Sequence, residues 1–88
     1  MKYQKLQNKL KDILSAKRKA QLKRYSSLKK VLRSLHKEKK KIEVALAQNI
    51  DDETRREMNS KLKVITKQRK KGLTVLKELK EERDADRS

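Results

Sequence analysis

Apolar side chains recur every three or four residues through the first half of the chain, which is the spacing of one face of an α-helix. The clearest run has a single polar slot, and it reads Tyr25, Leu28, Leu32, Leu35, Lys39, Ile42 and Leu46. No Pro or Gly interrupts residues 3–47. Because these are the residues that break helices, the pattern predicts one long helix over about 3–47.

The apolar pattern is weakest between Ser15 and Arg24. Followed backwards, the stripe continues through Leu14, but it must first cross Gln21 and Lys17. We interpret this as a stutter, in which the apolar face rotates slightly along a continuous helix. A break at Ser26-Ser27, giving three helices in all, is the competing interpretation, and it is disfavoured because serine alone rarely ends a helix.

A turn is predicted at about residues 48–52, within the sequence Asn49-Ile50-Asp51-Asp52-Glu53. Asn and Asp cap the free N–H groups at the start of a helix, and acids near that end are favoured by the helix dipole. A second helix should follow over about 53–83, with a polar tail at 84–88. Its apolar stripe consists of Met58, Leu62, Ile65, Gly72, Leu76 and Leu79, and Arg69 occupies the one position of the stripe that is not apolar.

Two stripes joined by a short turn predict an all-α fold, an antiparallel two-helix hairpin with a long first helix and coiled-coil-like packing. Residues 1–88 would form this single hairpin. Pairing about a turn near residue 50 sets Leu28 against Gly72 and Tyr25 against Leu76. Because Gly72 has no side chain, it could make room for a bulky neighbour on the first helix. Alternatively, the glycine is merely tolerated at this position, and the sequence leaves both interpretations open.

The two predicted helices differ in length. At about 1.5 Å per residue the first would measure about 68 Å and the second about 46 Å, so residues 1–16 should overhang. An exposed apolar stripe usually marks a contact surface. We therefore expect dimerisation into a helical bundle, through the interface residues Tyr3, Leu6, Leu10, Ile13 and Leu14.

Composition places the chain near the boundary of disorder, with 45% charged and 33% hydrophobic residues. The helical period of the apolar residues argues for order. The chain has no Cys, which suits a reducing cytoplasm, and association with the nucleoid or the ribosome is compatible with that. The longest apolar run is Val44-Ala45-Leu46-Ala47, far short of the roughly 20 residues of a membrane span, so no transmembrane segment is expected.

The net charge of +16 is unevenly distributed along the chain. Residues 13–37 carry nine Lys or Arg and residues 58–77 carry seven, and neither segment contains an acid. A helix that needs only solubility intersperses both signs, because Glu–Lys pairs four residues apart stabilise it. A solvated lysine-rich surface remains the simple interpretation, but concentrated bases also raise the local potential and attract phosphate.

These segments predict a surface that binds DNA or RNA through phosphate contacts with little sequence specificity. Lysines predominate and aromatic residues are few, so base reading and stacking are not expected. The candidate nucleic-acid-binding residues are Lys17, Arg18, Lys19, Lys23, Arg24, Lys29, Lys30, Arg33, Lys37, Lys63, Lys67, Lys70 and Lys71. The alternative is a coiled-coil adaptor that binds an acidic protein partner, or itself, through the overhanging N-terminal seam.

No catalytic or metal-ligating constellation is visible, and neither an enzyme, a cofactor nor a small-molecule substrate is expected. His36 is the only histidine and has no Cys with which to share a metal. Tyr25 could stack on a base, but its place in the stripe predicts a role in the core.

Overall fold

The protein, represented by a computed structural model, consists of four helices connected by short segments. The structure describes the backbone of residues 2–87 and the side chains of residues 4–85. The helices are α1 (Lys2–Ser15), α2 (Arg18–Lys23), α3 (Tyr25–Leu46) and α4 (Asp52–Arg87), with no strand among the described residues. The all-α prediction is confirmed. The molecule measures 54 × 20 × 16 Å, so α4, at about 1.5 Å per residue, spans its whole length.

The predicted continuous helix over 3–47 is wrong, because the chain bends twice within it. Lys17 is extended, with φ −66° and ψ 155°, and it separates α1 from α2. Arg24, at φ −99° and ψ 17°, separates α2 from α3. The competing break at Ser26-Ser27 is also misplaced, since both serines lie in the first turn of α3.

The first bend is stabilised by a buried polar side chain. The amide nitrogen of Gln21 donates hydrogen bonds to the carbonyl oxygens of Ile13, at 3.1 Å, and of Leu14, at 3.2 Å. These carbonyls belong to the last turn of α1, which lacks the regular N–H donors of the helix interior. The carbonyl of Ile13 also accepts a hydrogen bond from the backbone N–H of Ala16 at 3.2 Å. Gln21, which the sequence analysis places in a stutter of the apolar stripe, therefore caps the end of α1.

Because of this bend, α1 folds back instead of overhanging. Ile13 lies beside Val31 on α3, and Leu6 lies beside Lys37, so α1 and α3 run in opposite directions. Leu10 and Ile13 are buried in the core, and Leu6 and Leu14 pack against it. The predicted overhang is wrong, and these four residues of the expected dimer interface pack within the chain itself. The side chain of the fifth, Tyr3, lies outside the described residues.

The core is formed by three helices. From the predicted stripe of α3, Leu28, Leu32 and Leu35 are buried as expected. Val31 is also buried, although it lies outside that stripe, because α1 packs against the side of α3 that carries Val31. Each fully buried Leu, Ile or Val side chain contributes about 1.5–3 kcal/mol, so the core depends on the third helix that the sequence pattern does not reveal.

Gly72 of α4 lies against Leu32 of α3 and Leu10 of α1. It is buried, and a Cβ atom added to it would lie 2.6 Å from Leu32 Cδ2 and 3.3 Å from Leu10 Cδ1. The glycine therefore admits bulky neighbours, and the predicted pairing of Gly72 with Leu28 is wrong by one helical turn. A shift in the same direction brings Arg83 to the ring of Tyr25, seven residues beyond the predicted Leu76.

The turn between α3 and α4 has the predicted capping chemistry. Asp51 Oδ2 accepts a hydrogen bond from the backbone N–H of Thr54 at 3.4 Å, which satisfies one free donor at the start of α4. The Arg55 guanidinium donates to the carbonyl of Leu46 at 2.9 Å and closes the turn from the other side. The helix continues through Arg87, beyond the predicted end at about residue 83, so most of the predicted polar tail at 84–88 is helical, and Ser88 lies outside the described residues.

Candidate nucleic-acid interface

The return of α1 creates a basic groove between α1 and α3. Two adjoining cavities of about 250 and 360 Å³ lie along it, and Lys9 lines both. Each α3 base that lines the groove lies on the side of that helix that faces α1, at spacings of about one or two helical turns. The basic residues of the groove are Lys5, Lys9, Arg24, Lys30, Lys37 and Lys41.

Two acids line the same groove, Asp12 and Glu38. Glu38 Oε1 lies 3.5 Å from Lys41 Nζ, one turn further along α3. The charges of this exposed pair cancel each other, and the pair contributes little to stability. The groove therefore keeps a strong excess of positive charge along the length of α1.

A second groove separates α1 from α4. Its cavities measure about 440 and 480 Å³, and Leu14 and Lys71 line both. The bases that line it are Lys11, Lys70 and Lys71, and no acid is among the lining residues. The helix α1 is thus flanked by basic residues on both sides. We call this surface, consisting of the nine bases of the two grooves, the basic face.

The bases of α2 have a different environment. The guanidinium of Arg18 forms an ion pair with Glu78 of α4 at 2.5 Å, and both side chains are nearly half exposed. Arg18 and Lys19 also line a cavity of about 380 Å³ together with Glu82. The acidic last turns of α4 therefore offset part of the positive charge that the sequence concentrates in α2.

All thirteen candidate nucleic-acid-binding residues are exposed, but the structure does not bring all of them together. Five of them line the grooves, namely Arg24, Lys30, Lys37, Lys70 and Lys71. The bases Lys17, Lys19 and Lys23 accompany Arg18 at or next to α2. The remaining four lie outside the basic face, and they are Lys29, Arg33, Lys63 and Lys67.

Sequence reasoning missed four bases of the basic face, which are Lys5, Lys9, Lys11 and Lys41. Lys5 and Lys9 are four residues apart and so share one side of a helix, which is visible in the sequence. Their approach to α3 is not visible there, because it depends on the bend at Lys17. Without that bend, α1 would point away from the other bases.

Tyr25 is half-buried and packs against the core, as its place in the stripe predicts. The guanidinium carbon of Arg83 lies 4.3 Å from the centre of its ring, and Lys29 Nζ lies 5.7 Å from it. A cation at such a distance is attracted to the ring. Tyr25 thereby connects the start of α3 to the end of α4, and its ring is engaged by protein side chains.

His36 is exposed on α3. Among the described residues, no group of three or more His, Cys, Asp or Glu side chains is placed to hold a metal ion. Within the same residues, no helix is both long enough and apolar enough to cross a bilayer. Comparison of the chain with protein-family models, with curated proteins and with solved structures found no match.

Proposed function

We propose that this protein binds DNA or RNA through the phosphate backbone, with little dependence on base sequence. The basic face is the observation that carries the proposal, since nine bases and two acids line the two grooves that flank α1. Concave surfaces lined by charge of one sign focus the electric field and concentrate counter-ions there. Phosphate oxygens are the anions that a polynucleotide offers in quantity.

The dimensions of the basic face suit a polyanion with closely spaced charges. From Arg24 to Lys41 the groove follows α3 for about 26 Å, at about 1.5 Å per residue. A nucleic-acid duplex carries about one negative charge per 1.7 Å of its axis, so several phosphates can face this length. A small anion would use only a fraction of the bases.

The side chains of the basic face favour contact with phosphate over the reading of bases. Eight of its nine bases are lysines, which act as compact point charges without the planar fork of arginine. The chain has only two aromatic residues, and the ring of Tyr25 is already engaged by Arg83. We therefore expect similar affinities for unrelated sequences of equal length.

Two double variants of α3 test this proposal at equal net charge. Lys30→Gln with Lys37→Gln removes two bases of the basic face, whereas Arg33→Gln with Lys40→Gln removes two exposed bases that line neither groove. Binding to a fluorescent duplex should be measured as a function of salt. The first pair should reduce the slope of log Kd against log salt by about 2, because each phosphate contact contributes about 0.9.

The control pair should retain most of the slope of the wild type. Equal losses in the two double variants would mean that net charge alone attracts the nucleic acid and that the grooves have no special part. Poly-glutamate serves as the competitor that represents an acidic protein partner. If it displaced the duplex at an equal concentration of charge, the alternative of binding to an acidic protein would be favoured.

A further inference from the structure

The end of the molecule at the turn is only two helices thick. We call residues 42–64 the turn end, because they include the last turn of α3, the connection and the start of α4. Lys5 and Leu6 of α1 lie beside Lys41, so α1 begins near this level and the turn end receives no third helix. No residue of the turn end is buried, whereas Leu35 and Ile65, on either side of it, are fully buried.

Apolar side chains of the turn end therefore remain accessible to water. Val44 is 63% exposed and Val64 is 41% exposed, which makes them two of the three large exposed apolar residues in the described part of the chain. Further apolar residues of the turn end are half-buried, and these are Ile42, Ala45, Leu46, Ile50, Met58 and Leu62. These residues all belong to one end of the molecule, and apolar surface collected at one end of a highly charged protein is a candidate contact with another molecule.

The charge of the turn end identifies the kind of partner. Residues 42–64 contain five acids and four bases, a net charge of −1, which leaves +17 on the remainder of the chain. With this net charge, the turn end offers a polyanion little attraction. Two copies of the protein repel each other over their basic bodies but not at this end, where both are almost neutral and carry charges of both signs. The last turns of α4 are also acidic, but among the described residues only the turn end combines a near-neutral charge with the exposed side chains of Val44 and Val64.

We propose that the turn end docks on the turn end of a second copy of this chain, related to the first by a two-fold axis. Such a contact is self-complementary, so acids such as Glu57 in one copy can face bases such as Arg56 in the other. Two two-helix ends then combine into a four-helix arrangement that covers their apolar residues. Each basic face then begins beside the contact, at Lys5 and Lys41, and extends away from the other copy.

Light scattering on variants of one helix tests this dimer. Val64→Lys places a charge in the turn end, whereas Leu73→Lys places the same charge at a residue of α4 that is 45% exposed and lies outside it. The wild type and Leu73→Lys should show the mass of a dimer, and Val64→Lys the mass of a monomer. Circular dichroism checks that each variant keeps its helices. Val44→Lys repeats the test from α3 if Val64→Lys fails to fold.

Salt separates this dimer from binding to nucleic acid. Added salt screens the repulsion between the two basic bodies and should strengthen the dimer, whereas it weakens contact with phosphate. A monomeric mass for the wild type at every protein concentration and salt would overturn the proposal. Equal masses for the folded Val64→Lys and Leu73→Lys proteins would also overturn it, because the contact would then lie elsewhere or not exist.

Discussion

The side-chain amide nitrogen of Gln21 lies 3.1 Å from the carbonyl oxygen of Ile13. This contact connects the end of α1 to the middle of α2 and stabilises the bend at Lys17. The bend returns α1 to the surface of α3 and α4, so it completes the core and also forms both grooves. One buried polar residue therefore couples the fold to the basic face.

Replacing Gln21 with Met should destabilise the protein by about 1–3 kcal/mol. Methionine has a similar shape but donates no hydrogen bond, so the carbonyls of Ile13 and Leu14 lose a partner in a buried site. Urea unfolding followed by circular dichroism measures the change. Gln4→Met, at an exposed residue of α1, is the control and should change stability by less than about 0.5 kcal/mol. Equal effects of the two substitutions would contradict the capping role.

A double-mutant cycle tests the close approach at Gly72. Alanine is favoured over glycine in a helix by about 1 kcal/mol, but overpacking costs about 1–3 kcal/mol, so Gly72→Ala should destabilise. Leu32→Val removes the Cδ2 atom that the new methyl group would meet at 2.6 Å. In that background Gly72→Ala should be tolerated better by about 0.5–3 kcal/mol. Additive effects in thermal or urea unfolding would show that the two residues do not compete for space.

Acid should remove the contribution of Asp51 to stability. Hydrogen bonds from Thr54 to its carboxylate hold the pKa of Asp51 below its usual value. Because the pKa is lower in the folded state, the stabilisation is fully present above the unfolded pKa and is lost as the pH falls through the folded pKa. Melting temperatures of the wild type and Asp51→Asn should therefore differ near neutral pH and converge in acid. A difference that stays constant across this range would contradict this role.

Glu78→Gln should strengthen binding to nucleic acid while changing stability little. The ion pair with Arg18 is exposed, and such pairs contribute about 0–1 kcal/mol. Its loss frees Arg18 for phosphate, so both the affinity and the salt slope should increase. Glu43→Gln adds the same net charge at an exposed residue of the turn end and is the control. If the two variants bound the duplex equally, the acids at the end of α4 would not compete with phosphate for the bases of α2.

The helical class and the cap at Asp51 could be predicted from the sequence because both depend on local spacing. Leu28, Leu32 and Leu35 follow the helical period, and Asp51 occupies the residue that precedes a helix. The bends near Lys17 and Arg24 could not be predicted in the same way. Neither contains Pro or Gly, and the residue that stabilises the first bend, Gln21, looks in the sequence like a weak point in a stripe.

The basic face was only partly predictable for the same reason. Acid-free segments identify Lys30, Lys37 and Lys71 as members of a basic surface. They cannot identify Lys9, which joins that surface only because α1 folds back. Counting charges along the sequence also overstates the positive charge that α2 has available for binding. The count does not show that Arg18 is paired with a residue 60 positions away.

The salt dependence of binding by the wild-type protein tests the central claim most directly. The measurement is the Kd for a short duplex of DNA or RNA, recorded between about 50 and 200 mM salt. If the basic face neutralises about 6–10 phosphates, the affinity should fall by about 10³–10⁵-fold over this range, and by similar factors for duplexes of unrelated sequence. A shallow slope, or no binding at the lowest salt, would contradict the assignment of the basic face to the phosphate backbone.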